Sequence, residues 1–124
     1  MINLAPVIRT ELLNYHARVY FVNAPADPTF PHVTFSFPAS YVDNDQTIFN
    51  LDVDVWGNTL DTTAIDTLSR DIWNALHRLS HIDEHQQFTI YRMNRMILDD
   101  DDPQIQRRKM IFQLRHIDRG LSNE

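Results

Sequence analysis

The 124 residues carry 43% hydrophobic and 23% charged side chains, the balance of one globular domain with its own core rather than of a disordered chain. A formal net charge of −6 is the wrong sign for a protein that grips nucleic acid through phosphates. The lack of cysteine excludes disulfides, Cys-ligated zinc and thiol catalysis, and fits cytosolic synthesis.

The chain opens on "MINLAPVIRTELL", which lacks the cationic and then apolar pattern of a secretory leader, and no apolar run approaches the ~20 residues that span a bilayer. A soluble domain is expected. Asn3 is a candidate N-cap, and Pro6 falls in a first turn where its missing N–H costs nothing. Leu4, Ile8, Leu12 and Tyr15 recur at spacings of four and three, predicting a short amphipathic helix to about Tyr15. "RVYFVN" predicts a strand, and Pro25, Pro28 and Pro31 mark the loop that follows. In "HVTFSFP", Val33, Phe35 and Phe37 alternate with polar residues, predicting a half-buried strand.

"ASYVDNDQ" reads as a polar connection. "TIFNLDVDVWG" alternates over its length, with Phe49, Leu51, Val53 and Val55 on one face and Asn50, Asp52, Asp54 and Trp56 on the other. From about Thr59 to Ser80, Ile65, Leu68, Ile72, Leu76 and Leu79 form one apolar stripe of a long helix, and Asp66 and Arg70 are spaced to pair on its polar side. Strands are predicted at about Phe88 to Leu98 and Ile105 to Ile117. The order α-β-β-β-α-β-β with hairpin-length connections predicts an α+β fold: a mostly antiparallel or mixed sheet with two helices packed on it. The domain is expected over 1–120, with a loose tail at 121–124.

Four groups of residues are candidates for chemistry. The consecutive Asp99, Asp100, Asp101 and Asp102 run into Pro103. A hard cation needs oxygens converging from a loop that wraps it, and this loop is short, has no glycine and lacks Ca²⁺-loop spacing. The turn roles of Asp and Pro account for it, and an acidic tip can also contact a partner. Asp52 and Asp54 share a strand face, as carboxylates of metal or acid/base pairs do. Arginines of a neighbouring strand could instead pair with them, leaving a polar outer sheet face. His77, His81 and His85 stand at i, i+4 and i+8, but "HRLSH" lacks the glutamate of a zincin and exposed histidines explain it. Trp73 lies at the edge of the helix stripe and is expected in the core, whereas Trp56 shares a face with the Asp52/Asp54 pair and is the surface candidate. No P-loop, nucleophile elbow or dinucleotide turn is present.

Seven of the 11 Lys and Arg lie beyond residue 90: Arg92, Arg95, Arg107, Arg108, Lys109, Arg115 and Arg119. Most would serve a solvated sheet face. A basic C-terminal hairpin in an acidic domain also suits a complementary surface, including another copy of the chain.

The short N-terminal helix, "RVYFVNAPADPTFPHVTFSF" with Phe30-Pro31 before a strand, "FNLDVDVWGNT" leading into a long helix, and "YRMNRMILDDDDPQIQRRKMIFQLR" together resemble one family. The chain is similar over nearly its whole length to the tail-completion, or tail-terminator, proteins of long-tailed bacteriophages, which join tail to head. The resemblance implies a virion protein of the neck, assembled in the host cytoplasm, that forms a homo-oligomeric ring of six copies at the head-proximal end of the tail tube. It would end tube polymerisation and meet the head–tail connector, with no enzymatic activity, cofactor or metal. DNA would pass the lumen without specific binding, and Asp-rich surfaces lining it would repel phosphates. Head-to-tail contacts close such a ring, so each copy needs two different, complementary patches. The interface residues it implies are Asp52, Asp54, Trp56, Arg92, Arg95, Asp99, Asp100, Asp101, Asp102, Arg107, Arg108 and Lys109. Two alternatives come from other classes: a metal-dependent hydrolase using Asp52, Asp54 and the His77/His81 pair, and a small dimeric binding adaptor using the basic hairpin.

Overall fold

Strict alternation along "QTIFNLDVDVWG" makes the longest half-buried strand of the first half of the chain, and the rest of the sheet is laid on both its edges. The computed structural model describes residues 3–119, so the tail expected at 121–124 lies outside the described residues. The elements are α1 (Leu4–Leu12), β1 (Val19–Phe21), β2 (His32–Ser36), β3 (Ser40–Asp43), β4 (Gln46–Gly57), α2 (Thr63–Leu76), β5 (Ser80–Ile82), β6 (Gln86–Leu98) and β7 (Gln106–Asp118). They build one seven-stranded sheet in the order β1-β2-β4-β7-β6-β5, with β3 paired to β4 beside β2. Only β1 and β2 run parallel; every other pair is antiparallel. The α+β class and the predicted order of the main elements are those of the structure, and two short strands, β3 and β5, join them.

The inward face is the one the alternation marked. Val33 and Phe35 of β2, Phe49, Leu51, Val53 and Val55 of β4, Phe88 and Ile90 of β6, and Met110, Phe112 and Leu114 of β7 form one buried cluster with both helices. Leu4, Ile8 and Leu12 of α1 are wholly buried, each worth roughly 1.5–3 kcal/mol. Tyr15 does not extend that stripe, because α1 gives way after Leu12 to tight turns in which Asn14 N–H bonds Glu11 O and Tyr15 N–H bonds Leu12 O. In α2, Ile65, Ile72 and Leu76 are buried and Leu68 is half-buried.

α2 is shorter than its periodicity at both ends. Asp61 Oδ1 accepts from the Thr63 N–H (3.0 Å) and the Thr63 hydroxyl (2.7 Å), so the chain turns into the helix only there. At the other end His77 is extended and Arg78 has φ 65°, which swings Ser80–Ile82 away from the helix to pair with Gln87–Thr89 of β6. The Asp66–Arg70 pair expected along the helix does not form. Asp66 Oδ1 instead meets Arg108 Nε of β7 at 2.7 Å, and Arg70 reaches Asp71, at 3.4 Å in solvent. A neighbouring strand's guanidinium outcompeted a residue one helical turn away.

"ASYVDNDQ" folds into β3 and a tight turn in which Asn44 takes φ 56°, a conformation asparagine tolerates. All four β3 residues are exposed, so no buried face marked them as a strand.

Gly57 ends β4 beneath α2, and a Cβ built there would stand 2.9 Å from Ile65 Cγ2. That branched methyl cannot swing clear, so Gly57→Ala should displace α2 and cost roughly 1–3 kcal/mol. A denaturant midpoint equal to that of the unsubstituted chain would show that the helix yields freely.

Candidate functional site

The outer sheet face carries a compensated charge network. Cross-strand register sets His32, Trp56 and Arg107 in one row, and Thr34, Asp54 and Lys109 in the next. Lys109 Nζ lies 3.0 Å from Asp52 Oδ2 and 3.6 Å from Asp54 Oδ2, and Arg107 Nε donates to Asp54 Oδ1 at 3.1 Å. The Arg107 guanidinium stands 4.5 Å from the centre of the Trp56 ring. Trp56 Nε1 donates to Thr34 Oγ1 at 3.0 Å, and the indole stacks on the His32 imidazole, which Phe30 and Tyr20 flank. The Phe30–Pro31 peptide is cis. Of the alternatives for the carboxylate pair, cross-strand pairing is the one the geometry adopts. Asp54 is buried, and a cation entering between Asp52 and Asp54 would have to expel Lys109. Trp56 is held between a histidine and an arginine instead of standing open.

The inner face beyond the core presents Arg92, Arg95 and Arg108. Residues three apart in a regular strand point to opposite faces, yet Arg92 and Arg95 both lie over Trp73, at 5.4 and 5.3 Å from its ring. The cause is a bulge at Met93: Arg92 pairs with Phe112 and Asn94 with Ile111, leaving one residue unmatched. Arg92 also donates to Asn74 Oδ1 at 3.2 Å, and neither arginine forms an ion pair among the described residues. Trp73 itself is partly buried against the core, as expected. Next to it, α2 and the β6–β7 hairpin enclose an open groove of about 580 Å³, lined by Asp66, Thr67, Arg70, Arg95, Ile97 and Arg108 among others.

Asp99 to Asp102 cap the β6–β7 hairpin as a turn. Asp100 Oδ1 accepts from the Asp102 N–H (3.0 Å), Asp102 Oδ1 from the Gln104 N–H (2.9 Å), and the Ile105 N–H bonds Asp102 O (3.0 Å). The carboxylates of Asp99 and Asp101 have no partner among the described residues. The turn reading therefore describes the backbone, and the outward carboxylates remain available.

The histidine spacing is not a helical one. His77 follows α2, where its Nδ1 accepts from the Arg92 N–H, and His81 lies in β5, 2.7 Å from Asp83 and stacked on Phe88. Among the described residues, no group of three or more His, Asp or Glu is arranged to hold a metal ion. Asp83 accepts from His81 and from the backbone N–H groups of His85 and Gln86, which holds its carboxyl far below the usual range. Two other histidines are buried: His116 Nε2 donates to Gln86 Oε1 at 3.0 Å, and Gln86 Nε2 passes the chain on to Asn3 O at 2.7 Å.

Burial holds the His32 and His116 imidazoles below the ordinary value of 6.5. A histidine depressed in the folded chain binds its proton more readily when unfolded. Their contribution is therefore intact above about pH 6.5 and lost as the pH falls below it. Denaturation midpoints taken from about pH 7.5 down to about pH 5 should decline, with a shallower slope in a His32→Gln/His116→Gln variant. An unchanged slope would assign the pH dependence to other groups.

Sequence reasoning missed the exposed apolar side chains that border these surfaces. Ile97 is 70% exposed beside the groove, and Tyr41 and Val42 lie exposed on the free edge of β3. The signal in β6 was its broken alternation, "RMNRMIL", which no half-buried regular strand explains.

No protein-family model matches the chain, and no curated protein sequence matches it. Among solved structures, a chain in "Virion of native gene transfer agent (GTA) particle" is similar, with a TM-score of 0.64 at 11% identity, covering 85% of this chain and 83% of that chain. The likeness is one of fold. No described helix is long and apolar enough to cross a membrane.

Proposed function

We propose that this chain is a structural protein of a phage or phage-like virion that closes into a ring of six copies on the head-proximal end of a tail tube. The ring ends tube growth and presents its far side to the head–tail connector; its role is assembly, not catalysis. What supports this most is the likeness of fold, over most of both chains, to a component of a gene transfer agent virion. The division of charge adds to it: Arg92 and Arg95, without ion pairs among the described residues, and the acidic tip occupy different places, as heterologous ring contacts require. DNA crosses the lumen without specific binding, in keeping with a net charge of −6.

The test is tube capping. Tube protein of the same particle, polymerised alone, should give long tubes of mixed length, and added chain should halt growth with a ring visible at one end by electron microscopy. Replacing Asp99, Asp100, Asp101 and Asp102 with Asn should leave the circular dichroism spectrum intact and reduce capping at least tenfold. Tubes that keep growing at saturating wild-type chain would end the proposal.

A further inference from the structure

The acidic tip ends the hairpin that forms one wall of the groove, and its aspartates lie beyond the strand residues that line it. Three guanidinium groups, those of Arg70, Arg95 and Arg108, line the groove against one carboxylate, that of Asp66. Asp66 already pairs with Arg108, and Arg70 has only a solvent-exposed contact with Asp71. Arg95 has no acidic partner among the described residues; it rests on the face of Trp73, which fixes its position without neutralising it. The β6–β7 ladder runs unbroken from Asn94 to Leu98 and holds the strand extended, so even Asp99 stands about 13 Å along it from Arg95. Ile97 projects from the groove wall, 70% exposed. An excess of positive charge beside an uncovered apolar side chain is suited to an acidic turn that brings methylene and backbone contacts with its charge.

Resting on the ring reading, we infer that this groove between α2 and the β6–β7 hairpin is the receiving patch for the Asp99–Asp102 turn of the next copy. One copy offers its tip, the neighbour its groove, and the neighbour's own tip passes to a third. The contact is head-to-tail. It covers Ile97, gives Arg95 a carboxylate partner, and uses the two carboxylates, Asp99 and Asp101, that have no partner among the described residues.

The absence of natural cysteine makes the test direct. Thr67 is exposed and lines the groove, so a Thr67→Cys/Asp101→Cys chain places one thiol on each patch. Oxidised on capped tubes, it should give a ladder of linked species rising to the full ring on a non-reducing gel. Capped tubes with no cross-links overturn the inference and leave the ring reading standing. Linked dimers alone overturn the head-to-tail contact, since a self-complementary pair closes at two. If the wild-type chain does not cap, both fail together. Charge reversal gives an independent check. Asp99→Lys/Asp101→Lys and Arg70→Glu/Arg95→Glu should each weaken ring formation more than tenfold, and equal mixing of the two variants should restore it. Failure of the mixture to recover, with both variants folded by circular dichroism, overturns the pairing. Wild-type association should also weaken as salt rises.

Discussion

Replacing Phe112 with alanine will lower the free energy of unfolding by about 4 kcal/mol, the middle of the range for an aromatic core truncation. The ring is wholly buried at the middle of β7, between Leu51 of β4 and Arg92 of β6 in the register of the sheet. It also meets Trp73 of α2 at 5.4 Å, so the cavity would open directly beneath the helix. The effect should reach the surface, because Trp73 is the platform for Arg92 and Arg95. Equilibrium denaturation followed by tryptophan fluorescence reads both consequences: an earlier midpoint, and a shifted native emission as the indole settles into the space. A loss below about 1.5 kcal/mol would mean the site collapses around the deletion and the platform is less constrained than its packing implies.

Lys109→Met is expected to cost roughly 3 kcal/mol, because removing one partner of a shielded ion pair leaves its charge uncompensated. Here two carboxylates lose a cation at once. Asp52 and Asp54 are held side by side on β4, and among the described residues Lys109 is the one cation reaching both, while Arg107 pairs with Asp54. Packing is nearly conserved, since methionine fills much of the lysine stem's volume, which isolates the electrostatic loss. Adding Asp52→Asn to the Lys109→Met chain should recover most of the stability, because Asp54 keeps Arg107 while the carboxylate left without a cation becomes neutral. Should Lys109→Met alone cost less than about 1 kcal/mol, water reaches the carboxylates and the outer face is softer than its burial suggests.

The parts of the fold that sequence reading captured are those where burial imposes a period. Phe49, Leu51, Val53 and Val55 could only be one face of a strand, and Ile65, Ile72 and Leu76 only one face of a helix. Where no side chain is buried, periodicity carries nothing: β3 is held by backbone hydrogen bonds at a sheet edge, so Ser40–Asp43 looked like a connection. Cross-strand pairing of Asp52 and Asp54 was foreseeable because alternation placed them on one face with a basic strand available. Their specific partners, Lys109 and Arg107, depend on the β4–β7 register, which no local pattern fixes. The same holds for Asp66, whose nearer candidate in sequence lost to Arg108 across space. His77 and His81 stand at a helical spacing, but the extended backbone at His77 ended the helix before it could set them on one face.

The Met93 bulge limits how this hairpin can vary between related chains. Beyond it, β6 runs one residue out of phase with its first half, and that offset alone turns Arg95 to the same side as Arg92. Deleting Met93 would remove only the unmatched residue: Asn94 would still pair with Ile111 and Arg95 with Met110, so Arg95 would stay on the inner face. The exposed methionine is thus the one place in the arm where a single residue can be lost without turning the strand over. Elsewhere, shortening or lengthening the paired arm with its faces kept takes two residues from each strand, or a change in the turn. Odd-numbered drift in arm length should therefore be confined to the bulge, a rule that aligned relatives would display without any structure being solved.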